Sequence, residues 1–257
     1  MLKTLYTTIA VALAGTTTQA ADFRTALRAV VATCELSFNV AAVPFPCLKV
    51  QHSQDPLQSF AILREPTGAR RTILSPLADV PGIEDVRLLA PNAPNYFALA
   101  WNERSLVIPE QPDQWKNVVL AINASVNRTQ DHLHIHMGCL DPGVAEKLSS
   151  APVSTEEFRR LNVKLNGRIY WARFLPGTDL TSINPIQLAE RDVFLAKRFM
   201  AGITIAVVGA ERERVRGFII LAFTMPPQPK QPTAAGDLVS QECTVETVGA
   251  DDVRKSG

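Results

Sequence analysis

Three of the four histidines lie within five residues, at His132, His134 and His136. In an extended strand successive side chains point to opposite faces, so these three imidazoles would share one face. The other face would then be apolar, because the residues between and after the histidines are Leu133, Ile135, Met137 and Cys139. A polar strand face that merely meets water is normally built from Lys, Glu or Thr. The clustering of histidine therefore predicts a functional site.

Two kinds of chemistry suit three imidazoles on one strand face. They could hold a zinc ion and leave a coordination position open for water, as catalytic three-histidine sites do. Alternatively, one neutral imidazole attacks phosphorus while its neighbours position it, since the ordinary histidine pKa of about 6.5 leaves a lone pair available near neutral pH. His52 is remote in the sequence and Asp131 would point to the opposite face, so neither residue selects a metal. The histidine spacing alone keeps both chemistries open.

The histidine cluster and the segments around it resemble a known family. His-x-His-x-His followed by small or apolar residues is the signature of the histidine-triad superfamily of nucleotide hydrolases and transferases. Further segments are similar to bacterial CDP-diacylglycerol diphosphatases, and they read NYFALAW at 95–101, LAIN at 120–123, RTQ at 128–130 and GRIYWAR at 167–173. This resemblance extends over residues 28–246 and is densest between 92 and 140. The alternatives are a zinc-dependent exported hydrolase or metal-binding protein that uses the three-histidine strand, and a histidine-triad hydrolase or transferase that acts on another nucleotide diphosphate.

The resemblance implies a reaction and a role for each histidine. His134, the middle histidine, would attack the α-phosphorus of CDP-diacylglycerol, release phosphatidate and form a CMP-histidine intermediate that water hydrolyses. His132 and His136 would donate hydrogen bonds or fix the tautomer of His134. No cofactor or metal is implied. The implied partners are the lipid nucleotide and a membrane surface, and homodimers are common in the superfamily.

Two polar residues near the histidines are candidate substrate-binding groups. Asn123 ends a predicted strand and could hold a phosphate oxygen, or its amide could cap the following turn. Gln130 precedes the histidines by two positions and would share their face if the strand began that early. Phosphate binding and simple turn chemistry are both open for Gln130.

The superfamily's nucleotide pocket is usually formed by an N-terminal hairpin and the next helix. In this sequence these elements would be Phe60–Pro76 and Asn92–Trp101. Arg71 is the candidate for phosphate binding in the hairpin, with Arg64 as its alternative, although hairpin arginines more often face solvent.

The hydrophobic pattern predicts an α+β fold. Apolar residues at helical spacing, with capping signals, predict helices over 22–35, 94–107 and 185–200 and a short helix starting at the capping-box residues 154–157. Short apolar runs predict strands over 59–64, 71–75, 118–124, 132–140, 168–175, 202–209 and 217–224. Turns are expected at 66–68 and 211–216. With the resemblance, the expected architecture is a histidine-triad-like antiparallel sheet with flanking helices and an extended C-terminal half.

Composition excludes two broad classes. The 257 residues are 46% apolar, and 26 basic residues balance 25 acidic ones. A chain of this length and composition can bury a core that offsets the ordering entropy, which excludes disorder for most of it. A neutral chain also lacks the positive field that nucleic-acid binding requires, so no nucleic-acid partner is expected.

The first twenty residues have the order of a secretory signal. Lys3 precedes an apolar run from Leu5 to Gly15, and small residues end the segment at Ala20. The run is shorter than the ~20 residues of a comfortable membrane span. We expect 1–20 to be a signal peptide or N-terminal anchor, 21–247 a single catalytic domain and 248–257 a flexible tail. The expected location is the periplasmic side of the bacterial inner membrane, with the protein anchored or peripheral.

Four cysteines agree with export. An even number in an oxidising compartment favours two disulfides, for which three connectivities are possible. No C-x-x-C spacing is present, which argues against a structural zinc site. We predict a local Cys34–Cys47 bond and a long-range Cys139–Cys243 bond.

Overall fold

A computed structural model describes most of the chain, over residues 23–66, 70–108, 115–194, 196–224, 236–240 and 243. The predicted signal or anchor, the tail and part of the turn at 66–68 lie outside these residues. The expected domain boundaries also stay predictions. No helix in the described residues is long and apolar enough to cross a bilayer.

Within the described ranges, nine strands form one sheet in which every pairing is antiparallel. They are β1 (Lys49–Gln51), β2 (Phe60–Arg64), β3 (Thr72–Pro76), β4 (Val118–Ile122), β5 (Ile135–Cys139), β6 (Arg159–Arg160), β7 (Trp171–Pro176), β8 (Ile203–Arg212) and β9 (Val215–Thr224). Their order across the sheet is β1-β2-β3-β5-β4-β8-β9-β7-β6. The expected α+β class with an antiparallel sheet, flanking helices and a long C-terminal half is confirmed. The short strands β1 and β6 were not predicted.

The α-helices in the described residues are α1 (Ala26–Ala41), α2 (Tyr96–Asn102), α3 (Pro142–Ser150) and α4 (Pro185–Asp192). Side-chain oxygens of Asn95, Asp141 and Asn184 accept hydrogen bonds from backbone N–H groups at the starts of α2, α3 and α4. The first helix is longer than predicted, whereas α2 and α4 are shorter.

Two expectations about helices are wrong. Ser154 accepts N–H bonds from Glu156 and Glu157, as a helix cap would, but no helix follows it. Helix α4 ends at Asp192 because Val193 adopts an extended conformation, so the apolar spacing that continues to Met200 does not extend the helix. The expected turn at 211–216 is also narrower, since only Glu213 and Arg214 separate β8 from β9.

His136 lies on the sheet face that α1 and α3 cover. Ile73, His136 and Ala121 are direct neighbours across β3, β5 and β4 and therefore share this face. Ile73 belongs to an apolar cluster with Leu27 and Val31 of α1. Ala121 belongs to a separate cluster with residues of α3. His136 thus lies between the area covered by α1 and the area covered by α3.

The opposite sheet face carries the largest core. Ile135 and Met137 of β5 pack there with Tyr96, Phe97 and Trp101 of α2 and with Ile186 of α4. The expectation that residues alternating with the histidines face the core is confirmed.

Two disulfides have the predicted partners. Cys34 and Cys47 join α1 to the segment before β1, with their Cα atoms 5.6 Å apart. Cys139 and Cys243 join the end of β5 to the C-terminal segment, with their Cα atoms 5.3 Å apart. Both separations lie in the usual disulfide range.

Candidate active site

The histidine strand is shorter than predicted. Strand β5 begins at Ile135, so His132, Leu133 and His134 precede it. The backbone of Leu133 is held on both sides: its N–H donates to the carbonyl of Val80, and its carbonyl accepts from the hydroxyl of Ser75. The three imidazoles therefore do not form one row on a regular strand.

His134 is buried and held in one tautomer. Its Nδ1 lies 2.7 Å from the carbonyl oxygen of His132, and because a carbonyl only accepts, Nδ1 must carry the hydrogen. The lone pair is then on Nε2. Burial lowers the pKa of His134 to about 3, with the neighbouring His136 as a smaller cause. His134 is therefore a neutral imidazole at pH 7, as a nucleophile requires.

His132 acts on His134 through its backbone. Its own ring is buried, and Nε2 donates to the carbonyl of Pro76 at 2.9 Å. Burial lowers the pKa of His132 and keeps it neutral. The carbonyl oxygen of His132, and not its imidazole, contacts Nδ1 of His134.

His136 lies beside His134 and has a partner at each ring nitrogen. The two rings meet edge to face with centroids 4.8 Å apart. Nδ1 lies 2.7 Å from Oε1 of Glu65, and Nε2 lies 3.3 Å from Nδ2 of Asn123. Asn123, a candidate substrate-binding residue, is therefore placed at the site next to His136.

Glu65 is a site residue that sequence reasoning missed. It directly follows β2, and its carboxylate lies between His136 and the guanidinium of Arg71, whose Nε is 3.2 Å from Oε2. Burial opposes ionisation, but the hydrogen bond to His136 and the nearby charges hold the pKa of Glu65 below its usual value. The sequence does contain a signal, because Glu65 and Arg71 are opposite charges on the two arms of the predicted hairpin.

The remaining candidates have different surroundings. Arg71 is buried and paired with Glu65. Arg64 lines the cavity beside His134, where its Nη1 is buried and makes no hydrogen bond within the described residues. Gln130 also lines that cavity, but its amide accepts from the N–H of Leu27 and donates to the carbonyl of Phe23, which ties it to the start of α1.

The cavity beside His134 has a volume of about 630 Å³ and has a polar part and an apolar part. Its polar part includes Arg64, Glu65, His134 and His136, and its apolar part is built mainly from Ala26, Leu27, Val30, Leu63 and Ile73. The cavity thus lies between the hairpin and α1. The expected contribution of the 92–101 segment is wrong, because α2 packs on the opposite sheet face.

The described side chains do not form the three-histidine metal site that the spacing kept open. No group of three or more His, Cys, Asp or Glu residues within the described ranges is arranged to hold a metal ion. The ring of His132 is directed to the carbonyl of Pro76, and the Nδ1 atoms of the other two histidines are both engaged.

Comparisons with known proteins give one family. A family model described as CDP-diacylglycerol pyrophosphatase matches residues 23–247. The CDP-diacylglycerol pyrophosphatase of Yersinia pestis is 33% identical over 167 residues, which are 64% of this chain and 63% of that protein. The chain therefore spans less than two thirds of the length of this relative. Among solved structures, yeast Ap4A phosphorylase Apa2 matches with a TM-score of 0.39 and 15% identity, over 69% of this chain and 61% of that one.

The buried neutral His134 should make the fold sensitive to acid. Its native pKa of about 3 lies below the unfolded value of about 6.5, so the unfolded chain alone binds this proton as pH falls below 6.5. At pH 7 this proton uptake has almost no effect on stability. Between the two pKa values, each pH unit of acidification reduces the free energy of unfolding by about 1.4 kcal/mol. The free energy of unfolding can be measured with urea at pH 7 and at pH 5. Between these two pH values, wild type should lose about 2 kcal/mol more of it than His134→Asn.

The exposed His52 provides the matched control, and His52→Asn should retain the wild-type dependence. Equal losses in wild type and His134→Asn would show that His134 is not a buried neutral group.

Proposed function

The chain belongs to the CDP-diacylglycerol pyrophosphatase family, and on that basis we propose that it hydrolyses CDP-diacylglycerol to CMP and phosphatidate. One observation carries the mechanism: the Nδ1 hydrogen of His134 is bound by a backbone carbonyl, which leaves the Nε2 lone pair for attack. The adjacent cavity supports the substrate class, because its polar part suits a diphosphate and its apolar part suits the acylglycerol group.

The first chemical step joins the nucleotide to the enzyme. Nε2 of His134 attacks the α-phosphorus, the bond from that phosphorus to the phosphatidate oxygen breaks, and its electron pair leaves with phosphatidate. The carbonyl of His132 stabilises the positive charge that then develops on the imidazole, because it already accepts the Nδ1 hydrogen. Water subsequently hydrolyses the nucleotidyl-histidine and releases CMP.

His134→Ala should abolish turnover, because no other imidazole has its free nitrogen in the same place. We expect a loss of about 10³-fold or more in kcat, as for other covalent nucleophiles. Intact-protein mass spectrometry after an acid-free quench with CDP-diacylglycerol should show a species heavier by one CMP in wild type and none in His134→Ala. The control His52→Ala changes an exposed histidine and should behave as wild type. Full activity of His134→Ala would refute the assignment of the nucleophile.

Arg64, rather than Arg71, is proposed to bind the diphosphate. Each arginine has one buried nitrogen without a hydrogen-bond partner in the described part of the chain, Nε of Arg71 and Nη1 of Arg64. The guanidinium of Arg71 already forms an ion pair with Glu65, whereas Arg64 lines the cavity. A buried, unpaired guanidinium nitrogen is costly unless an anion accepts from it. The diphosphate of the substrate supplies such an acceptor.

Arg64→Gln should weaken substrate binding. A hydrogen bond to a charged group contributes about 1.5–3 kcal/mol, so kcat/KM should fall by about tenfold to a hundredfold. Arg28→Gln is a suitable control, since Arg28 is an exposed α1 residue paired with Asp79. Steady-state kinetics with CDP-diacylglycerol in detergent micelles would measure both variants, and equal kinetics for Arg64→Gln and wild type would contradict this role.

We also propose that the protein is exported and works at a membrane surface. The two disulfides are typical of oxidising compartments. Large apolar side chains are exposed at the end of α1 and in the segment that follows it, namely Leu36, Val40, Val43, Phe45 and Leu48. This surface, which we call the apolar rim, adjoins the cavity because Pro46 lines it. Exposed apolar clusters of this kind mark membrane or protein contacts.

Charges placed in the apolar rim should impair activity on bilayers selectively. We expect the double variant Val40→Asp/Phe45→Asp to lose about tenfold or more in turnover of CDP-diacylglycerol in phospholipid vesicles, because burying two carboxylates at a bilayer is costly. Turnover of a short-chain, water-soluble CDP-diacylglycerol should be unchanged. The control Val86→Asp/Phe194→Asp changes two exposed apolar residues elsewhere. Equal losses on vesicles in both double variants would contradict a specific role for the rim.

A further inference from the structure

We infer that Glu65 is a positioning residue that acts through His136 and makes it the base for hydrolysis of the nucleotidyl-enzyme. The inference rests on the proposed function and concerns its second step. Glu65 is the acidic side chain among the described residues that line the cavity, and it is bound to His136, the imidazole beside His134.

Glu65 is held on three sides. Its Oε1 lies 2.7 Å from Nδ1 of His136, and its Oε2 lies 3.2 Å from Nε of Arg71. Its backbone N–H donates to the carbonyl of Arg71 at 2.9 Å. The side chains of Glu65 and His136 are only 11% and 13% exposed, so water competes weakly for this contact. The carboxylate therefore fixes the orientation of the His136 ring.

The contact with Asn123 identifies the tautomer of His136. An amide nitrogen can only donate, so Nε2 of His136 must accept from Nδ2 of Asn123 at 3.3 Å. Nδ1 then carries the hydrogen and donates it to Glu65. The basic nitrogen of His136 is thus Nε2, on a ring whose centroid is 4.8 Å from that of His134.

The charged groups near His136 come from the β2–β3 hairpin. Glu65 faces it from the end of β2, Arg71 lies behind Glu65, and neutral His134 is beside it. Arg64 also lines the cavity, whereas the cavity-lining residues of α1 (Ala26, Leu27, Val30) carry no charge. The ion pair with Arg71 holds this carboxylate in place beside His136. Glu65 can then stabilise the imidazolium once a proton arrives.

The second step transfers the nucleotidyl group from His134 to water. Water displaces Asn123 at Nε2 of His136, and its oxygen attacks the phosphorus of the nucleotidyl-His134. The water proton passes to Nε2, which forms the imidazolium that Glu65 stabilises through Nδ1. The P–N bond breaks, its electron pair returns to Nε2 of His134, and CMP leaves. His136 then releases its proton to solvent.

The test compares full-length wild type with Glu65→Gln and Glu65→Asp during turnover of CDP-diacylglycerol. Glutamine keeps an acceptor for Nδ1 but lacks the charge that stabilises the imidazolium. Glu65→Gln should therefore turn over about a hundredfold more slowly, a typical contribution of general-base catalysis, while a larger fraction of the enzyme carries the CMP mass after an acid-free quench. Glu65→Asp retains the charge and should recover part of the rate. Glu103→Gln, which removes a carboxylate paired with Lys49, is the control and should match wild type.

The outcomes separate this inference from the proposed function. If wild type releases CMP but Glu65→Gln is slow without accumulating the CMP species, or is as fast as wild type, Glu65 does not act in the second step. If wild type releases no CMP, the proposed function itself fails. Decay of the CMP species after substrate is exhausted gives a second measurement, and it should be slower in Glu65→Gln than in Glu65→Asp.

Discussion

The hydrogen bond from Nδ1 of His134 to the carbonyl of His132 is the constraint on which the site depends. It sets which nitrogen holds the lone pair, and it exists because the backbone before β5 leaves the regular ladder. In a continued strand the carbonyl of His132 would be directed toward a neighbouring strand. Here Ser75 and Pro76, at the end of β3, bind the neighbouring carbonyl and the His132 ring and so hold this irregular segment in place.

Further contacts keep the cavity wall next to His134. Helix α1 belongs to a different part of the chain from the histidines, yet Gln130 binds its first turn and Asp131 accepts two hydrogen bonds from Arg24 at 2.5 and 2.6 Å. The Cys34–Cys47 disulfide fixes the later part of the same helix. Because α1 and α3 cover separate areas of the sheet face, His134 and His136 can line a cavity beside α1. The position of the cavity therefore follows from which parts of the sheet are covered.

The sequence predicted all strands of the described sheet except the short β1 and β6. It also predicted the disulfide partners and the residues that pack behind the histidines, because all of these depend on local apolar patterns or on cysteine pairing. It did not predict where β5 begins, since that boundary is set by contacts with Ser75 and Val80, which are far away in the sequence. The composition of the cavity wall was also not predicted, for the same reason. The resemblance implied that the segment containing α2 would line the nucleotide pocket. Only the sheet topology shows that α2 and His136 lie on opposite faces. Helix α3 was missed although Asp141 and Pro142 form a regular helix start.

The two arginines of the hairpin show how burial assigns roles that residue type alone cannot. A carboxylate such as Glu65, close to a bound diphosphate, would repel the substrate unless a cation compensated it. Arg71 provides that compensation from a buried position. Because its charge is already paired with Glu65, Arg71 is a poor candidate for binding phosphate. Arg64 has the same charge and lies at the end of the partner strand β2, but its guanidinium borders the cavity with Nη1 unpaired in the described residues. Arg71 thus compensates the charge of Glu65 within the site, whereas Arg64 presents its charge to the cavity, where we propose that it binds phosphate.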